Sequence, residues 1–174
     1  MTHSRAVVRL SRCAFLVGLS LLASSCASGL AFVQDRRVEI TSPASHAKVT
    51  LPVTITWTIE DFRLTGPNGR SEDDAGYFGV FIDRAPVPPG EPLSWIARDD
   101  KPCLRTPGCP DDVYLADRRV RFTEIPSIRF EQLPDLNAYR GHEVHEVTIV
   151  LLDGNGERIG ESAWYLTFLY DRPT

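Results

Sequence analysis

Val49-Thr-Leu-Pro-Val-Thr-Ile-Thr-Trp-Thr-Ile-Glu60 decides the fold class. Val53, Ile55, Trp57 and Ile59 alternate with Thr54, Thr56 and Thr58. A backbone with a side-chain period of two puts the apolar set on one face and the threonines on the other. β-Branched and aromatic residues suit that pleated surface. The stretch predicts a half-buried antiparallel strand with its threonines in solvent.

Outward from it, the same signal recurs in short pieces. Val38-Glu39-Ile40 alternates and is broken by Thr41-Ser42-Pro43. Residues 63–76 read as a polar loop. Tyr77 to Ile82 (YFGVFI) has no polar group beyond the Tyr hydroxyl and predicts a central strand. Residues 83–92 cannot be one, because Pro86, Pro88, Pro89 and Pro92 lack ladder donors. Short strands are predicted at Leu93–Ile96, Val113–Leu115, Val120–Phe122 and Ile128–Phe130, with a loop over 98–112. The last hairpin runs from Glu146 to Leu152, turns on Asp153-Gly-Asn-Gly156, and returns over Ile159–Phe168 with a break near Gly160. No stretch sustains a 3.6-residue period with helix caps. About seven to nine short strands with frequent turns predict an all-β antiparallel sandwich.

Two segments carry resemblances. Arg5, Arg9 and Arg12 precede an uninterrupted apolar or small run of 11 residues, Cys13 to Ala23, and then Ser24, Ser25 and Cys26. That order reads as a secretory signal, and the run is short of the roughly 20 residues of a spanning helix. Leu22-Ala-Ser-Ser-Cys26 resembles the lipobox of bacterial lipoproteins, with Ala23 where Leu is usual and Ser25 where Gly or Ala is usual. The resemblance implies cleavage before Cys26 and lipid on its thiol. The alternative is ordinary signal-peptidase cleavage, because Ser25-Cys26-Ala27 is also small-x-small. The expected organisation is a signal peptide over 1–25, a tether over 26–36 and one domain over 37–172. The expected location is the cell envelope, with the chain held by lipid on a membrane outside the cytoplasm.

The second resemblance lies in Val38-Glu-Ile-Thr-Ser-Pro43, Leu51-Pro-Val-Thr-Ile-Thr-Trp57 and Thr148-Ile-Val-Leu-Leu-Asp-Gly-Asn-Gly156. These are similar to the opening and closing strands of bacterial immunoglobulin-like or fibronectin-III-like domains. The resemblance covers about a third of the domain and departs from the family over residues 63–127. It implies a scaffold for adhesion, spacing or docking, and no active residues.

Charge and cysteines narrow the function. The formal net charge is −4, and removing residues 1–25, which hold three Arg and no acid, makes it −7. That excess of acid argues against a nucleic-acid partner. Pro107-Gly108 brings Cys103 and Cys109 within reach of each other, and export favours oxidation, so these two are expected to form a disulfide. Zinc is the weaker reading, since further Cys or His ligands are missing at metal spacing. No metal or other cofactor is expected.

Catalytic patterns are poor. His142 and His145 stand at i and i+3, not the i and i+4 of a zinc-protease helix, and on a strand they would point to opposite faces. They read as polar residues at a strand start. Glu72-Asp73-Asp74, Asp99-Asp100 and Asp111-Asp112 could supply oxygens to calcium, but their spacing matches no known loop, and solvated loop charge is the commoner explanation. Ser162 lacks the second Gly of a nucleophile elbow.

The aromatics are expected in the core, except Trp95. Placed on an edge strand beside Pro86, Pro88 and Pro89, it would form an interaction surface. The leading expectation is a non-enzymatic, lipid-anchored binding or structural module, its partner an envelope protein or a glycan. A carbohydrate-binding domain stacking sugars on Trp95 or Tyr114 is the alternative. A metal-dependent enzyme or metal carrier using the loop acids and His142 is the third.

Overall fold

The structure, a computed structural model, describes residues 35–137 and 142–171. The signal segment, Cys26 and residues 27–34 of the tether lie outside the described residues. Nine strands occur in the described chain: β1 (Val38–Ser42), β2 (Lys48–Val49), β3 (Val53–Ile59), β4 (Arg63–Leu64), β5 (Ala75–Ile82), β6 (Val120–Thr123), β7 (Ser127–Phe130), β8 (Glu143–Leu152) and β9 (Trp164–Tyr170). Between β5 and β6 lie a 3-10 turn (Leu93–Ala97) and two short helices, α1 (Lys101–Leu104) and α2 (Asp112–Asp117).

The strands form two sheets. The smaller has the order β1-β3-β7. The larger runs β2-β9-β8-β5, and the outer edge of β5 is shared by β4 at its start and β6 along the rest. The alternation in β3 places Val53, Ile55 and Trp57 in the core, where they meet Phe78, Val80, Ile149 and Phe168 of the larger sheet. Trp57 packs edge-on against Phe78, ring centroids 5.1 Å apart. Each such side chain contributes about 1.5–3 kcal/mol on burial. Two sheets sharing one core give the expected all-β class.

The middle of the larger sheet, β5 and the second half of β8, is buried on both faces. Tyr77, Phe81, Val150 and Leu152 point away from the first core and pack on Val87, Leu93, Leu115 and Val120. This explains the wholly apolar YFGVFI: every residue of β5 is buried. Gly76 marks how closely β5 approaches its neighbour. Its φ is +153°, and a Cβ there would stand 1.9 Å from the Leu152 carbonyl oxygen.

Several expectations are corrected. The 49–60 stretch is not one strand. Val49 pairs in parallel with Tyr170 of the larger sheet, whereas Val53 pairs with Phe130 of the smaller. Pro52, which has no N–H, lies at the change of sheet. Arg63–Leu64, read as loop, adds a second short parallel pair at Ala75 and Gly76, so the edges are not purely antiparallel. Leu93–Ile96 lies in the 3-10 turn and Val113–Leu115 in α2, not in strands. The missed helix signals are acidic caps: Asp100 Oδ1 accepts from Cys103 N at 3.1 Å, and Asp111 Oδ1 accepts from Tyr114 N at 2.8 Å. The closing hairpin keeps its expected form. Asp153 Oδ1 accepts from Asn155 N and Glu157 N, both at 2.9 Å, and regular pairing with β8 resumes only at Trp164, beyond Gly160.

Candidate functional site

Residues 84–118 were expected as loops, the Pro-rich segment to residue 92 and the segment 98–112, joined by short strands at Leu93–Ile96 and Val113–Leu115. They form instead a folded cap on the outer face of the larger sheet. Val87, Leu93 and Leu115 are its apolar anchors. Arg158 fastens it from below, donating from Nη1 to the Val87 carbonyl at 2.7 Å and from Nη2 to the Glu161 carbonyl at 2.7 Å. Arg158 is buried, which pushes its pKa down through desolvation. The expected Cys103–Cys109 disulfide closes the top of the cap, with Cα atoms 5.3 Å apart.

Asp100 organises the cap. Its carboxylate receives Cys103 N, the Tyr114 hydroxyl at 3.0 Å and Arg118 Nη2 at 3.2 Å. The Cys103 amide, then the Tyr114 hydroxyl, hold its pKa below the usual value. The Arg118 guanidinium carbon lies 3.3 Å from the Tyr114 ring centroid. Trp95 is not on an exposed edge strand. It is half-buried in the 3-10 turn against the outer core, with Arg98 4.9 Å from its ring centroid. Both aromatics proposed for sugar stacking therefore already carry a guanidinium. Pro88 and Pro89 are exposed, and Pro86 is half-buried. The large apolar side chains that the cap offers to solvent are Leu104 and Val113, 53% and 68% exposed.

A second polar cluster lies at the far end of β5 and β8. Asp83 leaves β5 in the left-handed region, φ 51°, and its N–H donates to the Glu146 carbonyl at 2.8 Å. Its Oδ1 accepts from Glu146 N and its Oδ2 from His145 Nδ1, both at 2.9 Å. His145 is fully buried, stacked on Phe168 and tilted against Tyr170. Glu143 Oε2 stands 3.4 Å from His145 Nε2, outside hydrogen-bond geometry, and accepts from Leu136 N at 3.3 Å. The sequence reading placed His145 at a strand start without foreseeing its burial. The signal was available in retrospect: His145 falls on the same alternation as Val147 and Ile149.

His142 pairs with Asp171. The loop acids scatter. Glu72 pairs with Arg63, Asp99 with Arg98, and Asp111 caps α2. Among the described residues no three His, Cys, Asp or Glu side chains are grouped to hold a metal. The Ser162 carbonyl accepts from Arg158 at 3.2 Å. No helix of the described residues is long and apolar enough to cross a membrane.

Clefts also mark the surface, a small one lined by Asp112, Leu115, Val120, Arg121 and Phe122 among them. A larger one, of about 360 Å³, lies beside the closing hairpin and is lined by Ser71, Asp73, Gly90, Asp153, Glu157 and Arg158 among others. Another, of about 190 Å³, is lined by Arg119, Arg121, Gln132, Ile82, Phe130 and Leu133 among others. No known protein family, curated protein or solved structure matches the chain.

Proposed function

We propose that this chain is a lipid-anchored, non-enzymatic binding or structural module of the bacterial cell envelope, built on a sandwich of immunoglobulin-like type. The observation that carries the binding role is the cap: residues 84–118 are fixed by an apolar underside, by Arg158 and by a disulfide, and still present Leu104 and Val113 to solvent. Loops held by a rigid scaffold are where recognition concentrates, and a fixed surface loses little entropy on binding. The lipid anchor rests on the Leu22–Cys26 resemblance, and the immunoglobulin-like type on the quoted opening and closing strands.

Deleting residues 84–92 is a poor test of the binding role, because Val87 is 1% exposed and its carbonyl holds Arg158. Leu104→Asp and Val113→Asp change only what solvent already reaches. In-cell cross-linking with affinity capture should recover an envelope partner from wild type, lose it in Leu104→Asp/Val113→Asp, and lose it in Cys26→Ser. Capture that is indifferent to all three changes would sink the proposal. The sugar-stacking alternative is favoured less, given that Arg118 covers Tyr114 and Arg98 covers Trp95. A sugar-array signal dependent on Trp95 would restore it.

A further inference from the structure

The chain is acidic, with 23 Asp and Glu against 19 Lys and Arg, yet it collects arginines at one corner. Arg84 donates from Nη1 to the Arg118 carbonyl at 2.6 Å. Arg119 follows in the left-handed region, φ 62°, and its carbonyl accepts from Ile82 N at 2.9 Å, which pins it to the end of β5. Burial, and then the like charges of Arg98, Arg118 and Arg119, push the Arg84 pKa down. Of the carboxylates nearby, Asp99 pairs with Arg98 and Asp100 with Arg118, while Asp117, next to Arg118 in the chain, and Asp112, which shares a small cleft with Arg121, form no salt bridge with these arginines. Arg84, Arg119 and Arg121 have no carboxylate partner among the described residues. Like charges left together raise the energy of the fold unless an anion joins them.

The cleft beside this corner gives the anion a place. It opens between the β6 edge of the larger sheet and β7 of the smaller. Arg119, Arg121 and Gln132 line it together with Ile82, Phe130 and Leu133, and no carboxylate does. The neighbouring guanidiniums are set in advance. Arg118 is held on the Tyr114 ring, Arg98 on the Trp95 ring and carbonyl, and Arg84 on a carbonyl. Guanidinium forks match the oxygens of a phosphate group, and an arrangement fixed beforehand gives up little freedom on binding.

We propose that this corner is a phosphate-recognition site, in which Arg119 and Arg121, backed by Arg84 and Arg118, bind a phosphate group whose apolar substituent rests on Ile82, Phe130 and Leu133. This names a ligand class for the binding module proposed above and rests on that reading, though not on the lipid anchor. The phosphate can belong to a lipid headgroup or to a soluble phosphate ester, and the test separates them.

The full chain carrying Cys26→Ser, which removes the lipidation site, is mixed with inorganic pyrophosphate, with phosphatidylcholine vesicles, and with vesicles that also contain phosphatidylglycerol. Binding is read by calorimetry and by vesicle flotation. Binding of the phosphatidylglycerol vesicles over phosphatidylcholine alone assigns a lipid source; binding of pyrophosphate alone assigns a soluble one. In either case Arg119→Gln and Arg121→Gln should each weaken binding about tenfold or more, the loss of a charge-assisted contact. Arg129→Gln, on β7 and paired with Glu131, should change nothing. Arg84→Gln could disturb the fold through the Arg118 carbonyl, so Arg119→Gln, which breaks no side-chain hydrogen bond or ion pair among the described residues, carries the decision. Binding of neither probe overturns the proposal. So does binding lowered equally by Arg129→Gln, or displaced equally well by polyglutamate. Partner capture that is absent from wild type, or indifferent to the Leu104, Val113 and Cys26 changes, with phosphate binding intact would overturn the cap proposal and leave this one standing.

Discussion

His145 shows what one residue's surroundings can do to its meaning. With its ring fully buried and Nδ1 on Asp83, it ties the end of β5 to the start of β8. His145→Ala leaves the Asp83 and Glu143 carboxylates buried without the ring between them and opens a cavity against Phe168. The expected cost is about 2–4 kcal/mol in a urea titration. Asp83→Asn, which tolerates the left-handed backbone and still accepts from Glu146 N, should cost less than His145→Ala. The reverse order would mean that the ring's packing matters little. Gly76→Ala is a harsher change, since its Cβ would meet the Leu152 backbone oxygen. More than about 4 kcal/mol, or failure to fold, is expected. Tyr77, buried near Asp153 and Glu124, has its pKa pushed up to about 12, by desolvation first and those charges second. The folded value lies above the unfolded one. Its contribution is therefore complete below pH of about 10 and is lost as pH rises from there toward about 12. Tyr77→Phe should flatten the stability profile across that window.

At the scale of the element, the cap and the strands should separate. The Cys103–Cys109 bridge closes a loop with a sequence separation of 6, so the entropic model gives it about 2 kcal/mol. Cys103→Ser/Cys109→Ser should raise amide exchange over α1 and α2 and leave β5 and β8 protected. Equal acceleration in β5 would show that the bridge holds the whole fold. The strands themselves were legible. Val53, Ile55 and Trp57 went inward as their alternation required, and β5 is central as its lack of polar groups implied. The helices were not legible, because each is under two turns and too short to display a period. Their sequence marks are Pro102 and Asp112 in the first turns and the caps Asp100 and Asp111, which look like loop acids until the amides they accept from are placed.

Across the whole molecule, local pattern and distant contact can be told apart. Alternation of residue type along Val53–Ile59 and Glu146–Leu152, with turn residues at Asp153–Gly156, determined by itself that this is an all-β chain, since a strand's period of two is a property of its own backbone. The short spacing of Cys103 and Cys109 around Pro107-Gly108 likewise pointed to the bridge that the structure contains. Only the tertiary structure decided that β5 is covered on both faces, that Trp95 lies against the outer core, and that His145 is enclosed. It also decided that Arg84 and Arg119, 35 positions apart in the sequence, share one corner. Burial and charge neighbourhood are set by which segments meet across the sheet, and that depends on the free energy of the assembled layers rather than on any stretch read alone.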